Sequence, residues 1–198
     1  MVAVRFMKVS IQRLMWISLS LAAASLAVAS QPSFSLQDAA GKTHTSSDLH
    51  QYKATVFLFV ATDCPNSNTY APIVARLYRE YSPRGVAFYN VYSDPSESAD
   101  TIRKHDADFL VPFPALLDPH QTLARQTGAR STPEAVILGS EGQELYRGRV
   151  DDRFVDFGKT RFHPTEDDLR EALEAVLEGK PVPHPVTKVL GCAIPGIN

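Results

Sequence analysis

Cysteine and tryptophan are the scarcest residues in this chain of 198, with two of the first and one of the second, and that scarcity bounds the chemistry. Cys64 and Cys192 lie far apart, so there is no C-x-x-C dithiol, and the histidines and cysteines lack the short spacings of a zinc site. Basic charge is not in excess either. With 20 Lys plus Arg against 22 Asp plus Glu, and no basic stripe interleaved with aromatics, the composition argues against nucleic acid as a partner. Internal repeats and disorder-like composition are also missing, and 44% hydrophobic with 21% charged residues fits one globular domain plus extras.

The long apolar run is at the start. Arg5, Lys8 and Arg13 precede residues 14–29, which end in Ala27-Val28-Ala29, the order of a basic region, an apolar region and a small-residue cleavage site. This predicts a secretory signal peptide over 1–29, and so an exported, periplasmic or extracellular protein. The alternative is an uncleaved anchor, but the run falls short of the ~20 residues that span a bilayer and contains Ser18, Ser20 and Ser25. Cleavage leaves no stable membrane insertion. It takes away three basic groups and Trp16, leaving a net charge of −5 and both cysteines. An even number of thiols outside the cytoplasm points to a disulfide or a redox pair. The expected organisation is therefore a signal peptide over 1–29, a domain over 30–180, and a Pro-rich tail over 181–198 that carries Cys192.

What the chain does have is concentrated in residues 55–81. Residues 56–60 form a continuous β-branched, aromatic and aliphatic run, as in a strand covered on both faces. Tyr70, Ile73, Val74, Leu77 and Tyr81 then recur at three- and four-residue spacing, one face of a helix. Cys64 and Pro65 fall at the junction. A thiol at a helix N-terminus meets unsatisfied N–H groups and the positive end of the macrodipole, both of which favour the thiolate. Asp63 opposes this, because an adjacent carboxylate disfavours a second negative charge. A second strand over 86–92 follows the helix, and strand–helix–strand in this order predicts an α/β fold.

Cys64, Ser67 and Ala71-Pro72-Ile73 resemble the active-site helix of thioredoxin, in which a C-x-x-C pair is followed by the same Ala-Pro-Ile. Residues 131–138, STPEAVIL, resemble the loop and strand of that superfamily in which a cis-proline faces the active cysteine. The resemblance covers most of residues 33–178 and is nearest to the redoxin branch, the peroxiredoxin-like proteins related to the AhpC/TSA group. It implies a thioredoxin-like fold with a central mixed sheet flanked by helices. It also implies thiol–disulfide chemistry on protein or small-molecule thiols and disulfides, with no cofactor. By the same resemblance Cys64 is the nucleophile, Pro133 the cis-proline, and Thr132, Asp63, Pro65 and Ser67 the surroundings of a substrate groove. Ser67 stands where thioredoxin has its second cysteine. Tails in this branch look alike, with a Thr ahead of a Gly-Cys-x-Ile ending, here Thr187 and Gly191-Cys192-Ala193-Ile194. That makes Cys192 either a resolving thiol or half of a permanent staple.

Along the rest of the chain, the expectations are an opening hairpin near residues 34–42, a polar helix over 96–109, and a short helix over 122–126 stopped by Gly128. A hairpin of 135–138 with 145–150 follows. Residues 151–164 lack periodicity and read as a functional or mobile loop. Thr165 to Asp168 reads as a capping box for a helix carrying Leu169, Leu173, Val176 and Leu177. The tail is expected to run extended, with Val186, Val189, Leu190 and Ile194 as anchors. Two other functions stay open. A thiol peroxidase would use Arg130, although Ala61 replaces the Thr found three residues before a peroxidatic cysteine. A copper-binding or docking module would draw on Cys64, His163, Asp151 and Asp152, although no metal-type spacing supports it.

Overall fold

The computed structural model describes residues 31–156 and 158–197; the segment read as a signal peptide lies outside them. The centre is a five-stranded mixed sheet of β3 (Ala54–Val60), β4 (Val86–Tyr92), β5 (Ala115–Leu117), β7 (Glu134–Gly139) and β8 (Glu144–Gly148) in the order β5-β4-β3-β7-β8. Strands β3, β4 and β5 run parallel, while β7 and β8 are antiparallel to their neighbours. Every residue of β3 and β4 is buried, which is why both read as apolar runs interrupted only by Thr55 and Asn90.

Alternation within β3 divides the core in two. Val56, Leu58 and Val60 pack with Tyr70, Val74, Leu77 and Tyr81 of α1 (Pro65–Tyr81), with Ile102 of α2 (Ala99–Asp108), and with Leu169 and Leu173 of α4 (Asp168–Leu177). Phe57 and Phe59 face the other way, against Phe34, Leu49, Leu123 of α3 (Thr122–Thr127), and Ile194 of the tail. Each such side chain contributes roughly 1.5–3 kcal/mol through burial, so both layers and the tail's end are held by the sheet. The opening hairpin is β1 (Ser35–Gln37) with β2 (Thr43–Thr45). Its turn is tied by buried Asp38, which accepts from Ala40 and Lys42 N–H and meets His44 Nε2 at 2.9 Å.

Several boundaries differ from those expected. Helix α2 begins at Ala99 because Ser98 Oγ caps the N–H of Thr101, while Ser96 is held in a turn by Asp94. The capping box before α4 does not form. Thr165 N–H, Glu166 N–H and the Thr165 hydroxyl all go to the remote carboxylate of Asp152, and α4 starts at Asp168. Residues 151–164 are correspondingly anchored at both ends, with a short hairpin of β9 (Phe154–Asp156) and β10 (Lys159–Thr160) between. Buried Asp151 accepts from the Tyr70 hydroxyl at 2.6 Å and from Arg153 Nε at 2.9 Å.

In the tail Val186 is exposed rather than an anchor. The backbone around it pairs instead with β8, where Arg147 N–H reaches Pro185 O and Thr187 N–H reaches Arg147 O. Thr187 Oγ1 also meets the Tyr146 hydroxyl at 2.8 Å and the Arg149 N–H at 3.1 Å. A Cβ at Gly148 would fall 2.0 Å from Thr187 Oγ1, so this crossing needs glycine. Ile194, 2% exposed, is the deep anchor. No helix among the described residues is long and apolar enough to cross a membrane.

Candidate functional site

Strand β3 ends at Val60, and residues 61–63 turn the chain into α1, with Cys64 as its N-cap residue and Pro65 in the first helical turn. Proline suits that position, since its missing N–H would have no partner there and its fixed φ is already helical. Pro72 lies inside the helix. Cys64 is fully buried, and as a thiol its Sγ donates to Thr132 O at 3.1 Å. The Thr132–Pro133 peptide bond is cis.

The tail completes the site. Strand β11 (Cys192–Ala193) pairs antiparallel with β6 (Ser131–Thr132), placing Cys192 opposite Thr132. Ile194 N–H extends the pairing to Arg130 O at 2.9 Å. The two sulfurs stand 2.6 Å apart and both cysteines are free. No displacement of the tail is needed to bring them together, contrary to what a mobile arm would require. Asn66 Nδ2, in the first turn of α1, donates to Leu190 O at 3.1 Å. At the far end Gln121 Nε2 holds Pro195 O, and Arg125 holds Gly196 O at 3.0 Å. Beneath the loop, Glu134, 4% exposed, accepts from the N–H groups of Arg130 and Ser131 at 2.8 and 3.0 Å.

Burial pushes the Cys64 thiol up, but Cys192, Thr132 and the backbone and hydroxyl of Ser67, all donors to the anion, outweigh it, so the thiol lies below its ordinary value. Cys192 is raised, by burial and by the neighbouring Cys64 and Asp63. The helix-start argument for an acidic Cys64 therefore acts together with specific donors.

Of the other residues expected here, Thr132 is buried against the sulfur, and Asp63 and Pro65 are exposed at its rim. Ser67 is buried at 3% exposure instead of lining an open groove, because as the third residue of α1 it points under the N-cap. Arg130 contributes its backbone to the tail, while its side chain is exposed. His163 opens on a separate cavity of about 340 Å³ lined also by Arg76, Asp151, Arg153 and Arg170. Asp151 and Asp152 are committed to Arg153 and Arg161. Among the described residues no three His, Cys, Asp or Glu side chains cluster as metal ligands. Sequence reasoning missed Asn66, Gln121 and Glu134, whose partners are carbonyls and amides 3 to 124 positions away, with no local pattern to mark them.

A helix that starts on a cysteine beside a cis-proline loop, on a β5-β4-β3-β7-β8 sheet, defines a redoxin of the thioredoxin superfamily. The AhpC/TSA family model matches residues 29–145, and the chain belongs to that family. It is similar to the crystal structure of an uncharacterized conserved protein from Geobacillus kaustophilus, with 30% identity and a TM-score of 0.73 over 84% of this chain and 90% of that one. A hypothetical protein from Sinorhizobium meliloti 1021 gives 28% identity and a TM-score of 0.73 over 86% of this chain and 94% of its own. A secreted disulfide oxidoreductase of Mycobacterium tuberculosis, homologous to E. coli DsbE, shares the fold at 16% identity and a TM-score of 0.52, over 74% and 95% of the two chains. No curated protein matches by sequence.

Proposed function

We propose that the protein is an exported thiol–disulfide oxidoreductase in which Cys64 is the nucleophile and Cys192 the resolving thiol. The observation that carries the reading is the 2.6 Å approach of the two sulfurs beside the cis-proline loop. In the substrate step the Cys64 thiolate attacks a disulfide R–S–S–R′, forming Cys64–S–S–R and releasing R′S⁻. Cys192, as thiolate, then attacks the Cys64 sulfur, releasing RS⁻ and closing Cys64–Cys192. The substrate gains two electrons, and two external thiols restore the pair. Each step is reversible, so the same chemistry oxidises dithiols when the partner's potential is lower. Since Cys64 is covered in the closed form, substrate reaches it when β11 lifts from β6.

Cys192→Ser is expected to accumulate mixed disulfides on Cys64 during turnover with a disulfide substrate, resolved by mass after alkylation, with the fold retained. Turnover of that variant at the wild-type rate would remove the resolving role. A working pair should also equilibrate with glutathione buffers, whereas a structural staple lies below about −300 mV and resists them. The paired carboxylates and the exposed Arg130 give the metal-binding and peroxidase readings no comparable observation.

Export rests on the order of residues 1–29. Protein recovered from the periplasm or medium should begin near Ser30 or Gln31 on N-terminal sequencing. Recovery with Met1 in the membrane fraction would overturn cleavage.

A further inference from the structure

Two buried hydroxyls meet at Cys64 with nothing to bond. Ser67 Oγ and Thr132 Oγ1 belong to residues 3% exposed, and neither makes a hydrogen bond. Buried polar groups are almost always paired, so two orphans against one atom need a reason. Thr132 touches the sulfur through its carbonyl at 3.1 Å. Ser67 is the third residue of the helix that Cys64 caps, and an N-cap side chain faces the N–H and side chain at that position.

We propose that Ser67, together with Thr132, holds Cys64 as a thiolate, its hydroxyl standing idle while the sulfur is neutral, as the free thiol seen here or as half of a disulfide, and donating to the sulfur once it carries the negative charge. This rests on Cys64 as the working thiol. A thiol or disulfide sulfur is a weak acceptor and a thiolate a strong one, so the same hydroxyls gain a partner only when Cys64 ionises. The Thr132 carbonyl works the other way. It accepts from the neutral thiol and repels the anion, so ionisation needs replacement donors, and the two hydroxyls and the Ser67 N–H are the groups in place. The charged or titratable neighbours are Cys192 and exposed Asp63; the latter disfavours the anion.

The effect falls on the opening step. An incoming thiolate RS⁻ attacks the partly exposed sulfur of Cys192, a Cys192–S–S–R bond forms, and the bond to Cys64 breaks with its electron pair on Cys64 Sγ. A second RS⁻ then releases R–S–S–R and leaves Cys192 reduced. A leaving thiolate departs faster the lower its pKa, so donors on Cys64 speed opening and make the pair more oxidising. Ser67 thus contributes to the reaction although it cannot resolve a mixed disulfide.

The test is the thiolate titration of Cys64, followed at 240 nm and by iodoacetamide rate, in full-length Cys192→Ser protein with Ser67→Ala, Ser67→Thr or Thr132→Val added. Ser67→Ala should raise the pKa of Cys64 by about one unit, a tenfold loss of thiolate below it, with thermal stability unchanged or higher. Ser67→Thr should restore the lower value, and Thr132→Val should shift it in the same direction as Ser67→Ala. An unmoved pKa, or a loss of stability without a titration shift, overturns the proposal. Mass analysis of the oxidised wild-type separates the two readings. A closed Cys64–Cys192 disulfide with a pKa indifferent to Ser67 defeats only this inference, and a Ser67-dependent pKa without the disulfide defeats only the resolving role.

Discussion

Gly191→Ala is expected to make the proposed Cys64–Cys192 disulfide a minor oxidised species while the five-stranded sheet stays folded. A Cβ at residue 191 would lie 2.1 Å from Thr132 O, 2.8 Å from Thr132 C and 3.3 Å from Pro133 N. These are backbone atoms of the cis-proline loop, and no rotamer change moves them aside. Carbon and oxygen in close contact stand about 3.3–3.6 Å apart, so β11 must retreat from β6 by roughly 1 Å or more. A disulfide tolerates little error in the placing of its sulfurs. The closing constant should fall at least about tenfold, the equivalent of ~1.4 kcal/mol. Alkylation gel shifts in glutathione buffers read this directly, with exposed Lys188→Ala as the tail control. Gly191→Ala protein that oxidises like wild-type would show that β11 pairing does not deliver Cys192.

The sheet was legible because burial on both faces leaves a mark within single segments: 54–60 and 86–92 admit little but apolar residues. Helix α1 was legible from its spacing, and Cys64 from its place between the two. The cis bond at Pro133 was visible only through resemblance, since Thr-Pro by itself says nothing of the isomer. The tail's route was the least legible part. Its contacts run to Arg147, Thr132 and Asn66, each supplied by distant segments, and only Gly191 and Ile194 left a local sign. The cap of α4 failed for the same reason. Thr165 has the composition of an N-cap, but Asp152, 13 residues upstream, takes its N–H first. Propensity names the residues able to make such a bond, and the tertiary fold decides which one does.

Asp151→Ala is expected to cost roughly 2–3 kcal/mol, a sizeable part of the 5–15 kcal/mol that holds a domain of this kind. The Asp151 carboxylate is almost wholly out of water and serves three donors: the Tyr70 hydroxyl at 2.6 Å, Arg153 N–H at 3.0 Å, and the Arg153 guanidinium through Nε at 2.9 Å and Nη2 at 2.5 Å. The Arg153 guanidinium also lies over the Tyr70 ring, 5.0 Å from its centre. Truncating the acid leaves the buried Tyr70 phenol without its partner and the partly exposed Arg153 guanidinium without its counter-ion. Asp151→Asn keeps an acceptor for Tyr70 and removes the charge, so its cost should be smaller, about 1 kcal/mol. Tyr70 lies six residues after Cys64 on α1, so this anchor ties the 151–164 loop to the helix that presents the thiol. Urea unfolding of the reduced proteins measures both losses free of the disulfide, with unchanged m-values marking a change in stability alone. A loss under about 1 kcal/mol for Asp151→Ala would mean that the loop is held chiefly by its other contacts.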